Sequence, residues 1–156
     1  MILVALAWST RHGGGLWHEW CGHAAGAIVA LRLLWGWVGP PYARFAQFLR
    51  SPATTARYAM LVLARKEPRH LGHNPLGGWM VVLLLAAVAL TVATGWLYTT
   101  DEFWGVPWVE ALHGASSDAV LALATVHLAG VLITSVRHRE NLVAAMIHGR
   151  KRAASE

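Results

Sequence analysis

The sequence predicts an all-α protein, a bundle of transmembrane helices, and three observations lead to this prediction. Apolar residues make up 56% of the 156 residues and charged residues only 13%, whereas soluble domains carry roughly 25% charged residues. Predominantly apolar stretches of 20 residues or more, long enough to cross a bilayer and with at most two charged residues each, occur three times. Basic residues gather in the segments between and after these stretches. The chain therefore has too little polar surface to face water on all sides.

The first apolar segment, residues 1–8, covers only about 12 Å at ~1.5 Å per residue, less than half of a bilayer core. We therefore predict that it is the C-terminal part of a first membrane helix, truncated here. Full spanning helices are predicted at 16–38, 76–98 and 109–136, within a single membrane-embedded domain that covers 1–156.

A basic connection, 39–75, joins the second and third helices. Ser51 followed by Pro52 predicts the N-cap and first turn of a short helix, which extends to Ala64 and lies on the membrane surface. Together with the tail, 137–156, this connection holds eleven of the thirteen Lys and Arg residues.

The distribution of charge predicts an orientation. Arg11 is the basic residue expected on the opposite side of the membrane, and the loop at 99–111 has three acids and no base. The positive-inside rule then makes the connection and the C-terminus cytoplasmic, in a bacterial inner (plasma) membrane. The +5 net charge does not indicate nucleic acid, because no recognisable nucleic-acid-binding module surrounds the basic residues; membrane lipid is the expected environment.

Three of the nine histidines fall within or at the ends of spanning helices, where ionisable residues mark functional sites by default. His113 and His127 are 14 residues apart, so they point the same way, separated by roughly 21 Å along the helix. This spacing suits two haems stacked across the bilayer. His18 begins its helix on the same side as His113, so these two are candidates for opposite faces of one haem. A hydrogen-bonding contact between helices is the alternative for any single histidine.

Smaller signals accompany these histidines. Gly22 and Gly26 follow His18 at i+4 and i+8, which lets either a flat porphyrin or another helix approach the backbone. Arg32 lies on the same face near the cytoplasmic side, where it either pairs with a haem propionate or reaches the lipid headgroups. His73, at the cytoplasmic mouth of the third helix, is a candidate either for haem binding or for capping that helix.

The spacing of the histidines excludes a zinc-protease site, and the absence of a CxxCH motif excludes covalent attachment of haem. His18 and His23 are five residues apart, one more than the HExxH motif of zinc proteases requires. Cys21 is the single cysteine and no CxxCH motif occurs, so any haem is bound non-covalently.

Three stretches resemble the bacterial four-helix di-haem cytochromes b, the family that includes the cytochrome b subunits of nickel-iron hydrogenases. The resemblance covers roughly residues 16–152. The stretches are LWHEWCGHAAGAIVALRLLWGWVGPPYARF, LGHNPLGGWMVV and WVEALHGASSDAVLALATVHLAGVLITSVRHRENLVAAMIHGRKR. The last is the most specific, because two spaced histidines precede a basic tail.

The resemblance implies four membrane helices and two b-type haems. By position, His18 and His113 would hold the outer haem and His127 one face of the inner haem. In the family, a histidine near the cytoplasmic end of the first helix completes the inner site. Residues 1–8 do not contain it, so we expect either an incomplete inner site, with one haem b in place of two, or His73 as a substitute ligand.

The resemblance also implies an electron-transfer subunit of a respiratory chain rather than an enzyme in its own right. Its partners would be a hydrogenase- or dehydrogenase-type oxidoreductase or a soluble cytochrome, together with quinone. Two rival functions remain, a haemless membrane anchor and a metal or proton transporter. The transporter predicts acidic partners inside the helices, and only Asp118 qualifies.

Overall fold

The structure, a computed structural model, describes residues 2–13, 15–68, 74–138 and residue 144. Over these ranges the chain forms helices and no strand, which confirms the all-α prediction. The α-helices are α1 (Ile2–Ser9), α2 (Leu16–Val38), α3 (Phe45–Phe48), α4 (Pro52–Leu63), α5 (Pro75–Tyr98) and α6 (Pro107–His138), and a 3₁₀ turn covers Pro41–Ala43.

Three helices are long and apolar enough to cross a membrane: Leu16–Val38, Pro75–Tyr98 and Pro107–Arg137. The three predicted crossings therefore each fall on a helix of sufficient length. The last helix begins two residues earlier than 109 because Pro107 occupies its first turn, where a missing N–H costs nothing and the fixed φ suits a helix.

Packing in the bundle centres on α5 and α6, which lie against each other, with α2 packed on α5 and α1 packed on α2. Gly26 belongs to the contact between α2 and α5, because a Cβ built on it would lie 2.8 Å from Val92 Cγ1. Large apolar side chains such as Trp17 and Val136 are exposed on the outside of the bundle. In a bilayer such residues contact lipid tails, so their exposure stabilises the embedded state.

The short helix α4 is capped as the sequence predicts. The Ser51 Oγ accepts a hydrogen bond from the Thr54 backbone N–H at 3.2 Å, which satisfies one of the free N–H groups in the first turn. Asn74 caps α5: its Oδ1 accepts a hydrogen bond from the Gly77 N–H at 2.7 Å. His73 itself lies outside the described residues.

The basic connection is tied to the spanning helices by side-chain contacts. Arg137 Nη1, near the end of α6, donates to the Val62 carbonyl at 3.0 Å and to Glu67 Oε1 at 2.8 Å. The indole of Trp79 in α5 donates to the Arg50 carbonyl at 3.0 Å. These contacts hold the connection and α4 against one end of α5 and α6.

Candidate haem-binding site

The rings of His18 and His113 are adjacent at the end of the bundle opposite the basic connection. Their centroids are 6.0 Å apart and their planes are 78° to each other. Imidazole nitrogens bind transition metals at about 2 Å and the ring centre lies about 1 Å further out, so two imidazoles on opposite sides of one ion have centres about 6 Å apart. The observed separation therefore matches that of two axial ligands.

Each of these imidazoles is oriented by a backbone carbonyl. His18 Nδ1 lies 2.9 Å from the Ala7 carbonyl oxygen in the last turn of α1, and His113 Nδ1 lies 2.9 Å from the Thr91 carbonyl oxygen in α5. Because a carbonyl oxygen only accepts, each Nδ1 carries the proton and donates it, which leaves each Nε2 as the free ligand atom. Metal-binding histidines are held in this way, since the hydrogen bond fixes the tautomer and the ring direction.

The His113 imidazole fits closely against α5. A Cβ built on Gly95 would lie 2.9 Å from His113 Cε1 and 3.2 Å from its Nδ1, so only glycine leaves room for the ring there. The buried Thr94 hydroxyl lies 3.3 Å from the same Nδ1. The Thr91 hydroxyl donates to Ser116 Oγ on α6 at 3.0 Å, which links the two helices beside the histidine.

Sequence reasoning missed this support for His113. The available signal was the grouping of Thr91, Thr94 and Gly95 in an otherwise aliphatic helix. Hydroxyl and small residues in a membrane helix indicate a place where another element approaches closely or forms hydrogen bonds.

A cavity of about 1090 Å³ surrounds the two imidazoles and is lined by α1, α2, α5 and α6. Gly22 and Gly114 both line it, and a Cβ on either would meet no atom within 4 Å, so each glycine borders open space. The two glycines therefore have different roles: Gly26 belongs to a contact between helices, whereas Gly22 borders the cavity. The space suits a flat cofactor, because sites for organic ligands are concave and mostly apolar with a few polar groups.

Two other predicted site residues, His127 and Arg32, do not line this cavity. His127 lies half-buried in α6, outside the residues that line the cavity, and no hydrogen bond to another described residue holds it. Arg32 has its Cζ 5.1 Å from the centre of the Phe45 ring, and its Nη1 is buried without a hydrogen-bonding partner in the described part of the chain. His73 is outside the described ranges, so its part in either role stays a prediction.

The zinc-protease arrangement is absent over 2–13, 15–68 and 74–138. No group of three or more His, Cys, Asp or Glu residues in those ranges is placed to hold a metal ion. His23 Nδ1 instead lies 2.8 Å from the Glu19 carbonyl oxygen of its own helix.

Comparison with known protein families identifies the family to which the chain belongs. The sequence profile described as prokaryotic cytochrome b561 matches residues 2–149, nearly the whole chain. The chain belongs to the prokaryotic cytochrome b561 family. Comparison with curated proteins and with solved structures gives no match.

Membership agrees with the resemblance drawn from the spaced histidines and the basic tail. A prokaryotic cytochrome b561 is a membrane-embedded b-type cytochrome that carries electrons, and the three long apolar helices of this chain fit a multi-pass bacterial membrane protein. The residues also fit the cofactor: two imidazoles at axial spacing, each with a free Nε2, project into a cavity bordered by open glycines.

Proposed function

We propose that this cytochrome b561 passes electrons through a haem b held between His18 and His113. The observation that supports this proposal is the 6.0 Å separation of the two rings together with the donation of each Nδ1 proton to a backbone carbonyl. A bound haem supplies an iron that cycles between two oxidation states. His18 and His113 would together hold the iron from two sides and leave no position open for substrate, so the group would supply electron transfer rather than substrate chemistry.

In this proposal, residues of the protein bind the haem, orient the two histidines and exclude water from the site. Ala7 and Thr91, through their carbonyls, hold the imidazoles in the tautomer that leaves Nε2 free. Gly22 and Gly114 leave flat space beside the histidines. Apolar side chains of α5 and α6, among them Val88, Val92 and Leu121, form much of the remaining wall and keep the cofactor in a medium of low polarity, which influences its reduction potential.

A second haem is proposed at the inner side, with His127 as one ligand. The buried Nη1 of Arg32 supports an anionic group at that depth, because a buried guanidinium nitrogen without a partner is costly. A haem propionate is such a group. His73 is the proposed second ligand, so the protein would hold one or two haems depending on whether this inner site is filled.

The electron route proposed for the whole protein runs between a hydrogenase- or dehydrogenase-type oxidoreductase or a soluble cytochrome and the quinone of the membrane. The chain forms one membrane-embedded domain, 1–156, in the bacterial inner membrane. The basic connection and the basic C-terminal tail face the cytoplasm, as eleven of the thirteen Lys and Arg residues favour.

The experiment that tests the site is haem stoichiometry on detergent-purified protein, by pyridine haemochrome against protein concentration. His18→Ala and His113→Ala are each expected to remove one haem per chain, and His127→Ala to remove the inner haem alone. His23→Ala is the matched control, because His23 also lines the cavity but bonds within its own helix. Loss of haem in the control equal to that in His18→Ala would contradict the ligand assignment.

The haemless anchor makes the opposite prediction. Wild-type protein with no haem absorption after haem supplementation would refute the electron-transfer proposal and leave the anchor. One haem per chain that His127→Ala leaves in place would refute only the inner site.

A further inference from the structure

The turn between α1 and α2 places a guanidinium at the mouth of the cavity. Arg11 Cζ lies 3.7 Å from the centre of the Trp8 ring, and Arg11 Nε donates to His12 Nε2 at 2.8 Å. All three side chains line the cavity. Stacking on an aromatic ring and a hydrogen bond through Nε together restrain an otherwise flexible side chain.

These contacts leave the far edge of the guanidinium available. Among the described residues, neither Nη group of Arg11 has a hydrogen-bonding partner. The two Nη groups form the edge that binds a carboxylate with two parallel hydrogen bonds. The cavity therefore presents a restrained, unpaired carboxylate-binding group at its rim.

The charges around the cavity make this group important for an anionic ligand. Its lining, within the described residues, contains three carboxylates, on Glu19, Glu110 and Asp118, and Arg11 is its one Lys or Arg. A haem adds the negative charge of two propionates to this acidic surface. Apart from Arg32, all other Lys and Arg residues lie in 39–75 or 137–156. Arg11 is thus the fixed cation placed to offset propionate charge at this site.

We infer that Arg11, held by Trp8 and His12, binds a propionate of the haem at His18 and His113, and so strengthens haem binding and raises the reduction potential. This inference rests on the proposed function. A positive charge beside the haem favours the reduced state, which carries one more electron, so its removal makes reduction harder. The other anion available at a membrane surface is a lipid phosphate, and the experiment separates the two.

The experiment compares wild type, Arg11→Gln and Arg11→Lys in detergent free of phospholipid. Arg57→Gln is the matched control, because Arg57 is an exposed basic residue on α4, away from the cavity. The measurements are the rate of haem loss to excess apomyoglobin and the midpoint potential by spectroelectrochemical titration. Arg11→Gln is expected to lose haem roughly tenfold faster, the effect of one bidentate charged contact, and to shift the potential downward. Arg11→Lys is expected to fall between it and wild type, and Arg57→Gln to match wild type.

A second arm removes the charge from the ligand in place of the protein. After reconstitution with haem dimethyl ester, which lacks free propionates, wild type and both Arg11 variants are expected to lose haem at the same rate. If Arg11→Gln does not fold, the comparison of Arg11→Lys with wild type in both haems gives the same information.

Three results would overturn the inference. Arg11→Gln with the haem-loss rate and potential of Arg57→Gln would show that no propionate contact exists. A difference from wild type that persists with the dimethyl ester would place the effect in the fold. If the same measurements repeated in vesicles of anionic phospholipid show a difference that is absent in detergent, Arg11 is assigned to headgroups. Wild-type protein that binds no haem would instead overturn the proposed function, and this inference with it.

Discussion

At the scale of single residues, two backbone carbonyls determine which nitrogen of each histidine faces the cavity. The Ala7 carbonyl is near the end of α1, where the last carbonyls of a helix have no intrahelical partner. It accepts from His18 Nδ1 at 2.9 Å and from the Thr10 hydroxyl at 3.1 Å. The Thr91 carbonyl of α5 accepts from His113 Nδ1 at 2.9 Å and from the Thr94 hydroxyl at 3.1 Å. Such partners raise the basicity of a metal ligand as well as orienting it.

Gly95→Ala tests the fit of His113 against α5. The new Cβ would lie 2.9 Å from His113 Cε1, so the ring must move and its bond to the Thr91 carbonyl must lengthen or break. Overpacking of this kind costs about 1–3 kcal/mol, so haem affinity is expected to fall about tenfold or more. Haem titration of the apoprotein, followed by visible absorption, measures the change.

Gly130→Ala is the control for this substitution, because a Cβ at Gly130 on α6 meets no atom within 4 Å. It tests the general effect of replacing a helical glycine and is expected to leave haem affinity unchanged. Equal affinities for Gly95→Ala and wild type would show that His113 does not depend on this contact.

At the scale of elements, α4 is fixed to the spanning helices by a buried tyrosine. Tyr58 is 7% exposed and its hydroxyl is hydrogen-bonded to the side chain of Asn74, the residue that caps α5. Burial, and then the negative charge of Glu67, raise the pKa of the Tyr58 phenol above its ordinary value, while the Asn74 hydrogen bond lowers it in part. Tyr58 therefore couples α4 to the start of α5.

Tyr58→Phe tests this coupling through alkaline stability. The folded protein keeps the phenol protonated to higher pH than the unfolded chain does, so unfolding is favoured once the unfolded phenol ionises, above pH about 10. The stabilising contribution is complete below that pH and disappears as pH rises through the raised folded pKa. Wild type is expected to lose melting temperature over this window, and Tyr58→Phe to lose less, by circular dichroism melts in detergent.

Tyr98→Phe is the control, because it removes a phenol hydroxyl at the other end of α5 and retains the ring that stacks on Trp104. The loss of melting temperature of Tyr98→Phe at alkaline pH is expected to equal that of wild type. If Tyr58→Phe also follows wild type, the burial of the Tyr58 phenol does not contribute to alkaline unfolding.

At the scale of the whole molecule, the distribution of charge and the position of the cavity predict the same orientation in the membrane. The described part of the connection rich in Lys and Arg lies at one end, and the cavity with its acidic rim lies at the other. An odd number of full crossings separates the connection 39–75 from the loop at 99–106, because only α5 lies between them. The two segments are therefore expected on opposite faces of the membrane.

Reporter fusions test this orientation. A fusion of alkaline phosphatase after Gly105 is expected to be active, because that enzyme requires the disulfides that form outside the cytoplasm. The same fusion after Glu156 is expected to be inactive, while a fluorescent protein at that position is expected to fluoresce. Active phosphatase at Glu156 would reverse the proposed orientation.

The sequence by itself determined the fold class, the three crossings and the candidate histidines. Apolar runs of bilayer length are visible without any tertiary information, because the bilayer requires each crossing to satisfy its own backbone hydrogen bonds. The Ser51 cap was also predictable, because capping acts within one turn of helix.

Only the tertiary structure decided which groups meet. The pairing of His18 with His113 was predicted from helix ends, but their 6.0 Å separation depends on the packing of α2 and α6 around α5. The partners of the two rings are backbone carbonyls 11 and 22 residues away. A carbonyl is present in every residue, so no sequence signal distinguishes these two. The same holds for Gly22 and Gly26, whose different roles follow from what the neighbouring helices place opposite each glycine.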